Sequence, residues 1–431
     1  MIRYGVIGSD LLHSYAPLAH NAFFDIYSLE GKFDKLELTQ EDFDTRDMHE
    51  VLRGFKGVMV SAPFKTQMAS HIDIVDDEAL EIGSINTINN VNGKLIGYNT
   101  DARSFRDLLE AVNQLPKGRV VVVLGDGGTA KSVIYALRRV AKEIYFVSKK
   151  KDVEIKCAKR ITYTELSKMS GYMLINATPV GMYPSSDESP VKKSVIEKFD
   201  VIVDLVYNPL FTKFLKLGVD CEKIVIPGLY MLISQAILSQ SIWQGFNMEP
   251  MTKRLQNNVV IQTQKSEHAN IYIVGMIGCG KTELGKVIAQ ESNKEFVDLD
   301  EVIEKKAKKT IKQIYEEDGE TVFRQLEHEA IKNICKEKNK VVAVGSGAVL
   351  DLRDLFALRS SGIIVFRDRS IDRILSTIDL SKYPSINSKE DVIKMYNERY
   401  PRYVKLADYI VPFGEIELDK KKLMEILGWK K

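Results

Sequence analysis

Gly275-Met276-Ile277-Gly278-Cys279-Gly280-Lys281-Thr282 has the spacing G-x-x-x-x-G-K-[ST]. In such a loop Gly278, Cys279 and Gly280 offer backbone N–H groups to phosphate oxygens. Lys281 reaches the β and γ oxygens, and Thr282 ligates Mg²⁺. The chemistry is phosphoryl transfer, with ATP and Mg²⁺ expected. Just downstream, Phe296-Val297-Asp298-Leu299-Asp300 places two carboxylates at i and i+2, on one face if the segment is a strand. One would serve the metal, Asp298 or Asp300, and the other an acceptor hydroxyl. Arg324 in GETVFRQLE and Arg399 in NERYPRY suit a carboxylate as a pair. Taken singly, each reads first as a surface ion pair.

A second glycine-rich turn, Gly125-Asp126-Gly127-Gly128-Thr129-Ala130, follows the run Val120–Leu124 and precedes a helix-like segment, Ser132–Val140. Strand, glycine turn and helix N-terminus together form an anion-binding corner suited to a dinucleotide pyrophosphate. The bland alternative is a turn with no ligand. The next strand, Glu143–Val147, ends in Ser148-Lys149-Lys150-Lys151. An NAD site places an acid there for the ribose 2′-hydroxyl. Here a hydroxyl and lysines stand in its place, so NADP(H) is expected over NAD. A solvated strand end is the competing reading.

Ahead of that turn lies a cluster of polar residues: His13-Ser14 after strand Tyr4–Ile7, Ser61-Ala62-Pro63-Phe64-Lys65 after Val58–Val60, then Asn86-Thr87 and Asn99-Thr100-Asp101. Reducing a ring carbonyl requires a proton donor at the forming alkoxide, and a lysine beside a carboxylate suits that task. Asn and Asp in GYNTD also read as turn chemistry.

These residues need rigid elements to hold them. Apolar runs at Val120–Leu124, Ile144–Val147, Met173–Asn176, Val201–Leu205, Ile271–Val274, Val341–Val344 and Ile363–Phe366 alternate with helix-like segments, which predicts parallel α/β sheets. At 431 residues two or three domains are expected. The polar stretch 248–270, after a helix-like segment Met231–Trp243, is the best boundary. With 61 basic against 59 acidic residues the balance predicts neither a nucleic-acid nor a membrane partner. Four cysteines without a CxxC pair give no disulfide framework or zinc site. The start lacks a secretory pattern and no apolar run is long enough to span a bilayer, so the cytoplasm is expected.

GVIGSDLLHSYAPLAHNAFF, SAPFK, IGSINTINN with GYNTD, VVVLGDGGTAKS, INATPVGM, DLVYNPL and GLYMLISQA occur in the order found in shikimate dehydrogenases, so residues 1–245 resemble that family. The resemblance implies Lys65 and Asp101 as the catalytic pair. It implies Ser14, Ser61, Asn86, Tyr207 and Gln235 as contacts to shikimate. It implies that Gly125–Ala130, Ser148, Lys149, Lys150, Asn176 and Gly228 hold NADP(H). Similarly GMIGCGKT, FVDLDEVI, GETVFRQLE, VGSGAV and NERYPRYVKLADYIV resemble shikimate kinases over residues 271–431. This implies Thr282 and Asp298 at Mg²⁺, and Asp300 at the shikimate hydroxyls in the role of base. Arg324 and Arg399 would clamp the carboxylate, Gly345-Ser346-Gly347 would lie against the ring, and a lid would lie within Ile378–Asn387. The implied α/β architecture is a split substrate domain, residues 1–102 plus 228–250, around a Rossmann NADP-binding domain, 103–227. A linker, 251–270, leads to a P-loop, nucleoside-monophosphate-kinase-like parallel α/β domain, 271–431. The expected substrates are 3-dehydroshikimate and shikimate.

Several positions depart from the family patterns. Ala16 stands where a second serine is usual, removing a hydrogen bond to the substrate carboxylate typically worth ~1.5–3 kcal/mol, and leaves quinate open as a further substrate. Met59 replaces asparagine, Ser61 replaces threonine, and Ser148-Lys149-Lys150 replaces Asn-Arg-Thr. Ser346 replaces a glycine and is strained if its φ must be positive. Tyr383-Pro384 replaces the lid Arg-Pro. Lys382 or Arg373 would then have to supply the cation, or the kinase half is a slow or purely binding module.

Overall fold

Val120-Val121-Val122-Val123-Leu124 is apolar at every position, the pattern of a parallel strand covered on both faces, and Val121 to Leu124 are fully buried. The computed structural model describes residues 2–11, 14–183, 185–247, 270–380, 383, 386, 388–416, 419–421 and 423. The chain forms two units, 1–259 and 260–431. Their boundary falls inside the polar stretch 248–270 singled out in the sequence; its residues 248–269 lie outside the described ones, as do His13 and Lys382.

The first unit holds two six-stranded sheets. One comprises β1 (Arg3–Gly8), β2 (Lys32–Glu37), β3 (Gly57–Val60), β4 (Ile74–Val75), β5 (Thr87–Val91) and β6 (Lys94–Tyr98), in the order β2-β1-β3-β5-β6-β4. It is mixed: β5 runs antiparallel to both β3 and β6. The other comprises β7 (Val120–Leu124), β8 (Glu143–Val147), β9 (Lys159–Ile161), β10 (Gly171–Asn176), β11 (Phe199–Asp204) and β12 (Ile224–Pro227). Its order is β12-β11-β10-β7-β8-β9 and every pairing is parallel. Counted from β9 this is the third, second, first, fourth, fifth and sixth strand, the doubly wound Rossmann order. Such a sheet binds ligands in the crevice where the order reverses, between β7 and β10.

Two helices tie the sheets together. Asp101–Ala111 leaves the first sheet and sends Phe105, Leu108 and Leu109 into the core of the second. Leu229–Gln244 returns to the first sheet. Its Trp243 Nε1 donates to the Ile88 carbonyl at 2.9 Å, and Ser239 and Thr87 share a hydrogen bond of 2.7 Å. Gly57 is required at that contact, because a Cβ there would lie 2.4 Å from the Trp243 ring.

The second unit is one five-stranded parallel sheet: β13 (Asn270–Val274), β14 (Glu295–Asp298), β15 (Lys340–Ala343), β16 (Gly362–Asp368) and β17 (Tyr409–Pro412), in the order β14-β15-β13-β16-β17. The glycine octapeptide joins β13 to the helix Lys281–Ser292, with Gly275, Gly278 and Gly280 at φ of 152°, 67° and 81°. Among the described residues no helix is long and apolar enough to cross a membrane.

Two local readings of the sequence are corrected. The helix expected at Ser132–Val140 spans Gly128–Leu137, so the glycine turn itself supplies the first helical residues. Asp298 and Asp300 do not share a strand face: β14 ends at Asp298, which caps the helix Leu299–Ala307 by accepting from the Asp300 N–H at 3.1 Å. A carboxylate at an N-cap satisfies a free helix donor, and that gain ends the strand there.

Burial pushes the Asp204 carboxyl up to about 7, against hydrogen bonds from Thr212, the Val206 N–H and Asn176 that favour ionisation. A carboxyl raised in the folded state stabilises the fold fully below its unfolded pKa, ~3.9, and loses that contribution as pH rises through about 7. The stability difference between wild type and Asp204→Asn should therefore change with pH between those limits, by up to ~1.4 kcal/mol per pH unit. Urea unfolding of both chains from pH 4 to pH 8 checks this; a difference independent of pH would contradict it.

Candidate active sites

In the first unit a cavity of about 460 Å³ opens between the two sheets. Ser14, Ser61, Lys65, Asp101, Tyr207 and Gln235 line it. Lys65 follows β3 on a short 3₁₀ turn, Phe64–Thr66, and Asp101 is the first residue of its helix. The Lys65 Nζ donates to Asp101 Oδ2 at 2.6 Å and to the Thr129 hydroxyl at 3.2 Å. Asp101 is 1 % exposed. Its other oxygen accepts from Asn86 Nδ2 at 2.8 Å, and Asn86 also donates to Gln235 Oε1 at 3.2 Å. The Tyr207 hydroxyl hydrogen-bonds Ser14, and burial raises its pKa. A held ammonium, a buried carboxylate and a rim of hydroxyls can grip a polyhydroxy ring and protonate one oxygen on it.

The opposite wall of the same cavity comes from the second sheet: Thr129 from the glycine turn, Ala177 to Pro179 after β10, and Gly228 before the returning helix. The turn crosses to the lysine itself. A Cβ on Gly128 would lie 2.5 Å from the Ser84 hydroxyl and 2.8 Å from Lys65 Cβ. Gly125 takes φ 115°, a conformation that L side chains resist.

In the second unit a cavity of about 390 Å³ sits at the carboxyl ends of β13, β14 and β15. Gly278, Gly280, Lys281, Thr282, Asp298 and Asp300 line it together with Arg324, Gly345, Ser346, Gly347, Tyr383 and Arg399. Lys281 Nζ donates to the Gly275 and Met276 carbonyls, at 3.2 and 3.0 Å, folded over its own loop. The Thr282 hydroxyl donates to Asp298 Oδ2 at 2.8 Å. These two oxygens form a hard donor pair suited to Mg²⁺. Burial raises the Asp300 carboxyl; Lys281 opposes the shift and Asp298 adds to it. Arg324 is gripped by Glu327 at 2.7 Å and Glu320 at 3.1 Å, and Arg399 donates to the Ser346 hydroxyl at 3.1 Å.

Residues 6–88 match the family model described as "Shikimate dehydrogenase substrate binding domain", and residues 277–425 match the one described as "Shikimate kinase". A shikimate dehydrogenase (NADP(+)) of Clostridium beijerinckii is 40% identical over 254 residues, which span 57% of this chain and 93% of that protein. The crystal structure of shikimate dehydrogenase 1 from Peptoclostridium difficile covers 61% of this chain and 99% of its own, at 35% identity and a TM-score of 0.59. That of shikimate 5-dehydrogenase from Thermus thermophilus, in complex with NADP(H) and shikimate, covers 60% and 98%, at 31% identity and a TM-score of 0.53. The chain belongs to the shikimate dehydrogenase family. Its second unit carries a shikimate kinase domain.

Most of the expected residues converge in these two cavities, and several take a different part from the one expected. In the dehydrogenase, Asn86 is fully buried and stands behind the wall, steadying Asp101 and Gln235. Asn176 is also fully buried: it donates to Asp204 and Val180 and accepts from Thr178, so it shapes the loop after β10 from beneath. Ala130 is buried, while Lys149 and Lys150 are exposed. The Ser148 hydroxyl donates to the Asp126 carboxylate. An acid therefore does reach the end of β8, from the glycine turn and not from the strand. Ala16 opens the helix Ala16–Tyr27 on the cavity wall, and Met59 Sδ lies 2.9 Å from His20 Nε2.

In the kinase domain the Cys279 thiol points into the core, where burial raises its pKa; only its backbone remains for a phosphate. Ser346 carries no strain, because its φ is not positive. The flanking glycines are needed for proximity instead. A Cβ on Gly345 would lie 2.4 Å from Glu327 Oε1, and one on Gly347 would lie 1.9 Å from Arg324 Nη1. Glu327 escaped the sequence reading, although R-x-x-E on a helix places it beside Arg324. Tyr383 lines the cavity and its hydroxyl hydrogen-bonds the Gly278 backbone. Arg373 donates to the Phe413 carbonyl at 3.4 Å. Arg369, not foreseen, donates to the Gly278 carbonyl at 2.5 Å.

Gly347→Ala should displace Arg324 and raise the KM for shikimate in the kinase assay by about tenfold or more, the loss of one charge-assisted contact. An unchanged KM would show that Arg324 does not depend on that gap.

Proposed function

We propose that the first unit reduces 3-dehydroshikimate to shikimate with NADPH, and that the second phosphorylates shikimate to shikimate 3-phosphate with ATP and Mg²⁺. The observation that carries the first assignment is the buried Lys65–Asp101 pair at 2.6 Å on a cavity walled on its far side by the dinucleotide turn. Ser14, Ser61, Tyr207 and Gln235 hold the ring. Gly125–Ala130 and the end of β8 would hold NADPH, which would supply hydride for the ring carbonyl carbon. Lys65 gives its proton to the carbonyl oxygen as charge develops there, and Asp101 keeps the ammonium aimed at that oxygen. Solvent returns the proton to Lys65.

In the second unit Arg324 and Arg399 receive the shikimate carboxylate, and Glu327 fixes the Arg324 fork. The Gly345–Gly347 turn lies against the ring. Asp300 accepts the proton of the attacking hydroxyl; its raised pKa brings its basicity closer to the task. Thr282 and Asp298 would hold Mg²⁺, which screens charge on the phosphates. Gly278, Cys279 and Gly280 present backbone N–H groups to those phosphates, and Lys281 swings from its carbonyl contacts to meet them.

A slower kinase is a specific second reading, favoured by Tyr383. A tyrosine at the mouth of the phosphate loop brings no positive charge to the transferring group.

Two results test these roles. Lys65→Met should cut dehydrogenase turnover by ~10²–10⁴ while leaving NADPH binding measurable by fluorescence; retained turnover would remove Lys65 from the proton transfer. Tyr383→Arg should raise kinase kcat by about tenfold or more, since a cation at that position stabilises phosphoryl charge. An unaltered kcat would show that the domain does not lack that charge.

A further inference from the structure

Asp126 is the one acid in the glycine turn, and the proton transfer described above does not use it. Its neighbours decide what it does. β7 and β8 are adjacent and parallel, with Leu124 opposite Val147, so the turn after β7 and the residues after β8 leave the sheet side by side. In a Rossmann sheet the residue after the second strand reads the 2′ position of the adenosine ribose. That residue is Ser148, 5 % exposed. Its hydroxyl donates to the Asp126 carboxylate and accepts from the Lys150 N–H at 3.0 Å. The carboxylate is therefore held at the reading position by the very residue that occupies it. Lys150 Nζ lies 3.8 Å from Asp126 and is mostly solvent-exposed. Arg160 Nε donates to the Lys150 carbonyl at 2.8 Å, placing a second cation at the same corner.

The two dinucleotides present opposite demands there. A ribose 2′-hydroxyl is a donor and pairs with a carboxylate. A 2′-phosphate carries nearly two negative charges at neutral pH, has no proton to share, and is repelled by a carboxylate while exposed lysines attract it. We propose that Asp126 is a specificity-determining residue: it accepts the 2′-hydroxyl of NAD(H), opposes the 2′-phosphate of NADP(H), and gives the dehydrogenase measurable turnover with both. This rests on reading residues 120–150 as the dinucleotide site.

The test is the rate of shikimate oxidation by the full chain with NADP⁺ and with NAD⁺, for wild type, Asp126→Ala and Asp126→Asn. The ratio of kcat/KM for NADP⁺ to that for NAD⁺ should rise at least tenfold in Asp126→Ala and less in Asp126→Asn, which keeps the shape and an acceptor. The change should fall on the KM of the dinucleotides. Circular dichroism and the KM for shikimate of the same samples report folding of the first unit, and the asparagine variant serves if the alanine variant unfolds. A ratio unmoved in a folded variant, from a wild type that turns over with NADP⁺, overturns the role of Asp126 alone. A wild type that uses neither dinucleotide overturns both this proposal and the site reading beneath it.

Discussion

A buried carboxylate must be paid for in hydrogen bonds, and Asp101 collects its own from distant parts of the chain. It accepts from Lys65 after β3 and from Asn86 before β5. Asn86 in turn engages Gln235 of the returning helix, and Lys65 engages Thr129 of the glycine turn. An unpaired ion at that depth would be strongly destabilising. The same contacts that satisfy Asp101 therefore bring the substrate-side sheet, the returning helix and the dinucleotide turn to one point. Fold and chemistry share one constraint in this unit.

The kinase unit meets the same problem with the same signs, a buried acid holding a basic side chain. Glu327 is nearly fully buried and burial raises its carboxyl, with Arg324 opposing the shift. One of its oxygens holds Arg324, while the other has no partner and faces Gly345. A rigid acid thus orders a long basic side chain that would otherwise sample many rotamers. The missing Cβ atoms at Gly345 and Gly347 make room for that arrangement.

The two glycine turns and the strands that lead into them were legible because each is written in adjacent residues. What the sequence withheld depends on packing. Ser148 looked like the end of the story at β8, since nothing in the chain order says that Asp126, 22 residues earlier, reaches across to it. Asp298 and Asp300 looked like strand neighbours because their period fits one; the capping bond that starts a helix between them is a contest of hydrogen bonds. Asn176 and Cys279 stand in binding motifs, yet their side chains face inward, and a motif records position without direction. Arg369 gave no signal, because an arginine after a strand has many possible partners.

Asp101 opens the helix whose later turns belong to the core of the Rossmann sheet. The acid is thus anchored in both lobes at the place where the chain passes from one to the other. Loosening the first turn of that helix would therefore disturb the packing of the second sheet and the placement of the proton-handling pair together.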